Sequence, residues 1–304
     1  MSITVFQALA AATRNNQRAV LGIVTSAKGS SPQKAGALAV FHEDGHITGT
    51  LGGGCLEAEA GKLATVALRS GKPQPFDIVL DGDFRWDDGM ICGGRMTGWV
   101  IPDAQQAGAE FWENLSSTKA TQPWGITREF AFVSGEDARR AADELLHHAV
   151  VIPPVALWIA GAGHVAQAVA PLAQSVGFSV HVFDDRADLL SRDFFPAGIE
   201  LHPLAFPTPS EPAFALVMTR GHEHDAEVLR EWLPFGFAFL GMIGSRRKAR
   251  LMREAFVRDG AATETQMDAV ECPVGVPIGA VSPHEIAVSI VARLIERRAA
   301  LTGE

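Results

Sequence analysis

Two cysteines in the first half of the chain lie beside consecutive glycines. The glycines are Gly52, Gly53 and Gly54 before Cys55, and Gly93 and Gly94 after Cys92. A thiolate beside exposed backbone amides or a helix N-terminus has a lowered pKa and can act as a nucleophile or a soft metal ligand. A lone cysteine is more often a small core residue, and glycine-rich loops are often plain turns. The repetition of this pairing favours a functional role.

A polar loop in the same half carries groups that suit an anion. Residues 28–36 read KGSSPQKAG and contain two hydroxyl groups, on Ser30 and Ser31, and two ammonium groups, on Lys28 and Lys34. Backbone amides at a glycine-lined helix start also bind anions, so both loops could face one anionic ligand. The chain contains no GxxxxGK[ST] string, which excludes a Walker-type phosphate loop.

The second half contains a nucleotide-type fingerprint. Residues 161–166 read GAGHVA between an apolar strand and an apolar helix, with alanine in the third glycine position. Asp184 and Asp185 follow about 20 residues later, where a carboxylate could accept hydrogen bonds from a ribose. The same motif also forms tight turns without a nucleotide, and His164 is bulkier than the residue usual in redox proteins. The pattern predicts a Rossmann-like fold and leaves its ligand open.

Two further polar clusters are less specific. Residues 244–248 read GSRRK and place three cations at the start of a helix, which is either a local positive site or a solvated helix face. His222, His224 and Asp225 lack a complete metal-ligand set and indicate a helix cap or a surface turn. We find no Ser-His-Asp or paired-carboxylate arrangement that would support a hydrolase.

Hydrophobic periodicity predicts the elements that position these residues. In the first half we expect helices at 4–14, 55–69, 105–115 and 137–149, and strands at 19–25, 37–41, 47–51, 76–80 and 96–101.

Consecutive prolines in residues 151–154 mark a boundary, which predicts domains at 1–150 and 151–304. Beyond it strands and helices alternate, and a capping box at residues 282–285 begins a last helix to about residue 298. The predicted fold class is α/β, with an N-terminal α/β domain followed by a C-terminal Rossmann-like doubly wound parallel-sheet domain.

Composition limits the partners. The net charge of −9 repels nucleic acid and acidic membranes, so we expect neither as a partner. No apolar stretch approaches the roughly 18 to 20 residues of a membrane-spanning helix, which predicts a soluble cytoplasmic protein. Three cysteines without a CxxC pair predict reduced thiols.

The chain resembles the xanthine dehydrogenase accessory proteins, the XdhC/CoxI family, in seven short sequence motifs that occur in the family's order. They are GSSPQKAGA, GTLGGGCLEAEA, ICGG, GAGHVA, FDDR, GMIGSRRK and SPHEIAVSI, and they extend over nearly the whole chain. The resemblance implies a molybdenum-cofactor chaperone rather than an enzyme. Such a protein binds the molybdopterin cofactor, keeps it during sulfuration and assists its insertion into xanthine dehydrogenase. It implies xanthine dehydrogenase, a cysteine desulfurase and a cofactor-biosynthesis enzyme as partners.

The family's signature residues, carried over one by one, define a cofactor-binding set without catalytic residues. The set is Gly29, Ser30, Ser31, Gly52, Gly53, Gly54, Cys55, Glu57, Cys92, Gly93, Gly94, Gly161, Gly163, His164, Asp184, Arg186, Ser245 and Arg246. Cys55 or Cys92 is expected near the molybdenum. Gln33 stands where relatives often have arginine, and Lys34 or Lys28 could substitute for it.

Two other functions stay open. An NAD(P)-dependent oxidoreductase is supported by Asp184 and weakened by the absence of an identifiable hydride-transfer acid or base. An adaptor would use its surfaces alone. A homodimer is expected because most soluble oligomers are symmetric dimers.

Overall fold

A computed structural model describes residues 2–79, 94–206, 208–209 and 213–302, with the backbone alone for Ser2, Cys55 and Thr302. The chain divides into two compact units, Met1–Pro153 and Pro154–Glu304. None of the helices in these described ranges combines the length and the hydropathy that a bilayer crossing requires.

The first unit contains two antiparallel sheets and four α-helices among its described residues. Its helices are α1 (Ser2–Arg14), α2 (Gly54–Ser70), α3 (Ala109–Ser116) and α4 (Gly135–Arg140). Its strands are β1 (Ala19–Lys28), β2 (Leu38–His42), β3 (Ile47–Gly49), β4 (Gln74–Val79), β5 (Arg95–Ile101), β6 (Gln122–Ile126), β7 (Phe132–Ser134) and β8 (His147–Val151). The strand orders are β3-β2-β1-β5-β4 and β7-β6-β8.

Strand β1 separates two hydrophobic cores because successive side chains of a strand point to opposite faces. Leu21 and Ile23 belong to the core that contains α1, and Phe6 of α1 stacks on Trp112 at 5.7 Å. Val20 belongs to the other core, which the apolar side of α2 completes. Helix α2 ends at Ser70, and its C-cap residue Gly71 has the left-handed conformation that glycine adopts most easily.

The second unit is a six-stranded parallel sheet with helices on both faces. Its strands are β9 (Ala156–Ala160), β10 (Ser179–Asp184), β11 (Glu200–Pro203), β12 (Ala213–Val217), β13 (Phe239–Met242) and β14 (Val270–Glu271). Its helices are α5 (His164–Ser175), α6 (His222–Trp232), α7 (Arg246–Arg258), α8 (Glu264–Asp268) and α9 (Pro283–Thr302). The strand order β11-β10-β9-β12-β13-β14 is that of dinucleotide-binding folds. The predicted fold class is confirmed.

Alternation along β9 again divides two cores. Leu157 and Ile159 pack with residues of α5 and α9 on one face. Trp158 and Ala160 pack with residues of α6 and α7 on the other face. At the start of α9, Ser282 and Glu285 form the predicted capping box, with hydrogen bonds of 3.3 and 2.8 Å.

Some predicted elements are wrong. The helix predicted at 105–115 is a 3-10 turn (Ala104–Ala107) and α3, separated at Gly108, whose φ is +96°. The helix predicted at 137–149 is the short α4 followed by β8, which pairs with β6 from Gln122 to Ile126. Sheet pairing there overrides the helix propensity of the alanine-rich segment. Strands β6, β7, β11 and β14 were not expected.

Candidate functional site

The polar loop of the first unit lies against both of the other signature segments, the glycine turn and Gly94. A Cβ atom built at Gly52 would lie 2.7 Å from Pro32 Cγ, so the glycine turn packs on the polar loop. A Cβ at Gly94 would lie 2.7 Å from the carbonyl oxygen of Ser30 and 2.8 Å from that of Lys28. Both glycines are therefore required for close approach of main chain. The fold brings the loop at residues 28–34, the turn at 52–54 and Gly94 into one cluster, which we call the glycine cluster.

Glu57 holds the glycine turn in shape. Its Oε1 accepts hydrogen bonds from Thr50 Oγ1 at 2.5 Å and from the backbone N–H groups of Leu51 and Gly53, both at 3.1 Å. The carboxylate lies in the first turn of α2, where the helix dipole also favours a negative charge. The resemblance places Glu57 in the cofactor-binding set, and in the structure one of its oxygens organises the loop that begins α2.

The turn itself requires glycine at three successive positions. Gly52, Gly53 and Gly54 have φ values of +134°, +77° and +55°. Within the described part of the chain, no atom lies within 4 Å of a Cβ built at Gly53 or Gly54, and no side chain caps the N-terminus of α2. The N–H groups of Gly52 and Gly53 already donate to Thr50 and Glu57, so the amides that an anion can approach are those of the first turn of α2, which begins at Gly54.

The remaining predicted residues of the first unit lie in the polar loop or outside the described residues. Gly29 and Ser30 are exposed, and the Ser31 hydroxyl donates to the carbonyl oxygen of Gln33 at 3.0 Å. The ammonium groups of Lys28 and Lys34 belong to exposed residues of the same loop. Cys92, Gly93 and the side chain of Cys55 lie outside the described structure.

In the second unit, the turn after β9 lies at the switch point of the sheet. The connections that follow β9 and β12 leave in opposite directions, so their loops border the crevice in which such folds bind ligands. Gly161 has a φ of +114°, and a Cβ there would lie 2.3 Å from the carbonyl oxygen of Met218. Glycine at this position is required for the close approach of the two loops.

The start of α5 is open in the way that the start of α2 is. Gly163 is the N-cap residue with extended backbone, and no side chain among the described residues caps the helix. A Cβ at Gly163 would meet no described atom within 4 Å, and His164 beside it is exposed. The two fingerprint glycines therefore differ, because only Gly161 is required by internal packing.

Asp184 is buried and fully occupied by internal donors. Its side chain is 3% exposed, and its Oδ2 accepts from the backbone N–H of Ala162 at 2.6 Å and from Arg186 Nη2 at 2.8 Å. Its Oδ1 accepts from the Arg186 backbone N–H at 2.8 Å and from Nε at 2.9 Å. Burial alone would raise the pKa of this carboxyl, but the hydrogen bonds from Arg186 and Ala162 lower the pKa to about 2.

These contacts restrict what the fingerprint can bind. A ribose hydroxyl that donates to Asp184 has to displace Arg186 or Ala162, because four donors already fill the carboxylate. The neighbouring Asp185 is exposed and accepts from Arg220 Nη2 at 2.8 Å, and the same nitrogen lies 2.8 Å from His224 Nε2.

The three consecutive cations at the start of α7 have different environments. Ser245 caps the helix by accepting from the Lys248 backbone N–H at 3.2 Å, while Arg246 and Arg247 are exposed. The Lys248 ammonium turns inward to Asp225, whose side chain is 1% exposed. Sequence reasoning missed this ion pair. The surface turn predicted around Asp225 is wrong for that residue, although the helix start is correct.

Asp225 joins two loops at the carboxyl edge of the sheet. Its Oδ1 accepts from the Thr219 backbone N–H at 3.0 Å and from the Thr219 hydroxyl at 2.7 Å. Lys248 also donates to the carbonyl oxygen of Ile243 at 3.0 Å. Cys272 lies near this pair, and burial is the main cause that raises the pKa of its thiol. A raised pKa indicates a protonated and weakly nucleophilic thiol.

Comparison with curated proteins identifies similar chains along nearly the whole length. The chain is 27% identical over 280 residues to the uncharacterized protein YqeB of Escherichia coli. The aligned region is 90% of this chain but only 42% of YqeB, so this chain spans less than half the length of that relative. It is 26% identical to a Bacillus subtilis protein described as a probable xanthine dehydrogenase subunit, covering 95% of this chain and 96% of that protein. It is also 26% identical to the molybdenum cofactor insertion chaperone PaoD of E. coli, covering 97% and 88%.

A solved structure supports the same relationship. The crystal structure described as a xanthine dehydrogenase from Bacillus halodurans matches with a TM-score of 0.81 and 27% sequence identity, over 98% of this chain and 96% of that one. Residues 157–294 match the family model described as the XdhC Rossmann domain, and residues 12–81 match the model of the XdhC and CoxI family. The two matches together cover more than half of the sequence, and the chain belongs to the XdhC and CoxI family.

Proposed function

We propose that this protein binds the molybdenum cofactor and assists its insertion into a xanthine dehydrogenase. The observation that carries the proposal is the glycine cluster, in which the loop at residues 28–34 contacts both the glycine turn that precedes α2 and the distant Gly94. The names of two relatives, a molybdenum cofactor insertion chaperone and a probable xanthine dehydrogenase subunit, support the same role.

The residues of the cluster fit the chemistry of this cargo. Molybdopterin carries a phosphate and a pterin ring with hydrogen-bonding edges, and it holds its metal through a dithiolene. Open amides at the start of α2 and the exposed Lys28 and Lys34 suit the phosphate. Cys55 or Cys92 is proposed at the molybdenum end because thiolates are ligands for soft metal centres.

The second unit has an open helix start of its own at Gly163 and His164, which we propose as a second anion-binding element. Ser245 and Arg246 stay in the proposed set, although the Ser245 hydroxyl also caps α7. Asp184 and Arg186 act through the shape of the turn, since each is engaged by the other. This occupation of Asp184 weakens the alternative of an NAD(P)-dependent oxidoreductase.

A carrier must also release what it holds. We propose that the protein keeps the cofactor while a cysteine desulfurase supplies the terminal sulfur ligand and then transfers it to the target enzyme. Transfer on this path requires moderate affinity, with a Kd near micromolar or about 8 kcal/mol of binding free energy. A complex that survives extensive dilution would contradict a carrier role.

Two glycines at opposite ends of α2 provide a matched test of the proposed site. Gly54 and Gly71 have φ values of +55° and +65°, and a Cβ at either meets no described atom within 4 Å. Gly54→Ala and Gly71→Ala therefore have similar backbone costs of about 1–2 kcal/mol. Only Gly54→Ala adds a methyl group beside the proposed phosphate contact.

The assay incubates each purified variant with released cofactor and measures cofactor retained after gel filtration and activation of cofactor-free xanthine dehydrogenase. We expect Gly71→Ala to behave as wild type and Gly54→Ala to retain about tenfold less, since one lost charge-assisted hydrogen bond is worth about 1.5–3 kcal/mol. Equal retention by both variants would remove the start of α2 from the site. Cys55→Ala and Cys92→Ala in the same assay test the proposed contacts with molybdenum.

A further inference from the structure

Three potential metal ligands converge on the edge of the second unit's sheet. His181 lies on β10, and Glu200 and His202 lie on the neighbouring edge strand β11. His181 is the register partner of Glu200, and residues two apart on a strand share a face, so all three side chains point to the same side. They lie outside the set implied by the family resemblance.

The three ligand atoms form a nearly equilateral triangle. His181 Nδ1 is 3.3 Å from His202 Nε2 and 3.3 Å from Glu200 Oε2, and His202 Nε2 is 3.6 Å from the same carboxylate oxygen. These separations exceed the usual hydrogen-bond range of about 2.7–3.2 Å. They match the spacing of about 3.4 Å between neighbouring ligands of a tetrahedral ion with bonds of about 2.1 Å.

We propose that His181, Glu200 and His202 bind a zinc-class divalent cation, with a fourth position open to water or to another ligand. Two imidazole nitrogens and one carboxylate oxygen are a donor set that zinc uses in proteins, and imidazole ligands favour Zn²⁺ over Mg²⁺ or Ca²⁺. This site does not depend on the proposed cofactor role.

Ring packing holds the two imidazoles in place. The His202 ring stacks on Phe183 with centroids 4.8 Å apart, and the His181 ring lies 6.2 Å from Trp158. The Glu200 carboxylate is the most exposed of the three ligands, with a side chain that is 62% exposed, and faces the route by which an ion enters.

A metal at this position would tie the edge strand to the sheet. Strand β11 pairs only with β10 in the described sheet, and it has four residues. A cation bound by both strands would add a link across this pair. The proposal therefore assigns the site a stabilising role with an exchangeable fourth ligand.

Zinc binding by variants that each replace one proposed ligand tests the proposal. The full chain is freed of metal with a chelator, and Zn²⁺ binding is measured by titration calorimetry for wild type, Glu200→Gln, His202→Gln and the control His284→Gln. His284 is an exposed imidazole elsewhere in the same unit. We expect wild type and the control to bind one equivalent more than the two site variants. A hundredfold excess of zinc over Kd should raise the melting temperature of wild type by about 5–10 °C.

Equal zinc stoichiometry in all four proteins would overturn the proposal and leave a hydrogen-bonded trio without metal. Cysteine thiols are common to all four proteins, so any zinc that they bind cancels in the comparison. Co²⁺ substitution gives a second readout, because the site contains no sulfur. The difference spectrum between Co²⁺-loaded wild type and Co²⁺-loaded Glu200→Gln should lack a sulfur-to-metal charge-transfer band. The presence of such a band in the difference spectrum would also overturn the assignment.

Discussion

Substitution of Gly161 by alanine tests whether the fingerprint turn is required by packing. A Cβ at this position would lie 2.3 Å from the carbonyl oxygen of Met218, 2.7 Å from its carbonyl carbon and 3.0 Å from Thr219 Cα. All three contacts are with backbone, and Met218 is held by a hydrogen bond from its N–H to the carbonyl oxygen of Ala160 at 2.9 Å. The Met218 carbonyl group therefore cannot move aside by a change of rotamer, as a flexible side chain would.

Two costs add in Gly161→Ala. Overpacking that forces the backbone to move costs about 1–3 kcal/mol. A non-glycine residue held at a φ of +114° costs a further 1–3 kcal/mol or so. We expect a loss of about 4 kcal/mol in the free energy of unfolding of the second unit. That loss corresponds to a fall of about 10 °C in the melting temperature.

Gly163→Ala is the matched control within the same turn. Gly163 has a φ of −73°, and a Cβ there meets no described atom within 4 Å. We expect its free energy of unfolding to stay within about 1 kcal/mol of wild type. Urea denaturation of the full chain gives the free energies, and hydrogen exchange of peptides from β9 and α5 localises the effect. Equal destabilisation by both variants, or a loss below about 1 kcal/mol in Gly161→Ala, would refute the packing argument.

Three further predictions concern buried charges and an imidazole. The pKa of Asp184 is about 2 in the folded chain and lies below its unfolded value, so a contribution of about 2 kcal/mol is present above pH 4 and is lost as the pH falls toward 2. Asp184→Asn should remove this acid dependence in urea titrations. Burial lowers the pKa of His147 to about 4, and its Nε2 has no hydrogen-bond partner among the described residues. Below pH 6.5 His147 is protonated in the unfolded chain, but in the folded chain it stays neutral until about pH 4. The free energy of unfolding of the wild type should therefore fall by about 3 kcal/mol between these pH values, and His147→Leu should not show this loss. Lys248→Met leaves the buried Asp225 carboxylate unpaired and should cost about 3–5 kcal/mol, and the added change Asp225→Asn should recover part of that loss in calorimetric melts.

The order of elements in the second unit is predictable from its sequence. Apolar runs such as residues 155–160 and 214–219 are buried strands of a parallel sheet, and they alternate with helical segments. A glycine turn after the first strand and a capping box before the last helix mark where helices begin. Local pattern and tertiary fold agree for these elements, whereas the short strands β11 and β14 were not expected.

The first unit is harder to predict because its sheets are antiparallel and join distant segments. The segment around Ala141 has high helix propensity, but β8 after it pairs with β6, and a Cβ at Gly125 of β6 would lie 2.6 Å from the carbonyl oxygen of His147. Such pairing joins residues that are far apart in the sequence, so local sequence patterns cannot predict it. The contact of Pro32 with Gly52 is equally invisible in the sequence, although both segments attract attention separately.

The candidate metal site was missed for a related reason. His181 and His202 are 21 residues apart in the chain and meet through the register of β10 and β11. The alternation of Glu200 and His202 on one strand face was the available signal, but it requires β11 to be recognised as a strand. A strand of four residues that includes Pro203 gives a weak pattern.

The structure also separates the fold-forming part of the fingerprint from the part that can serve a ligand. Gly161 is required for the contact with Met218, and Asp184 accepts the N–H of Ala162 and thereby stabilises the turn. Both residues would be needed if the turn bound nothing. Internal packing does not require glycine at position 163, because a Cβ would fit there and Ser, Thr or Asp would cap α5 better. Under the proposed function a ligand approaches the amides of this helix start, so Gly163 rather than Asp184 is the residue at which binding should be tested.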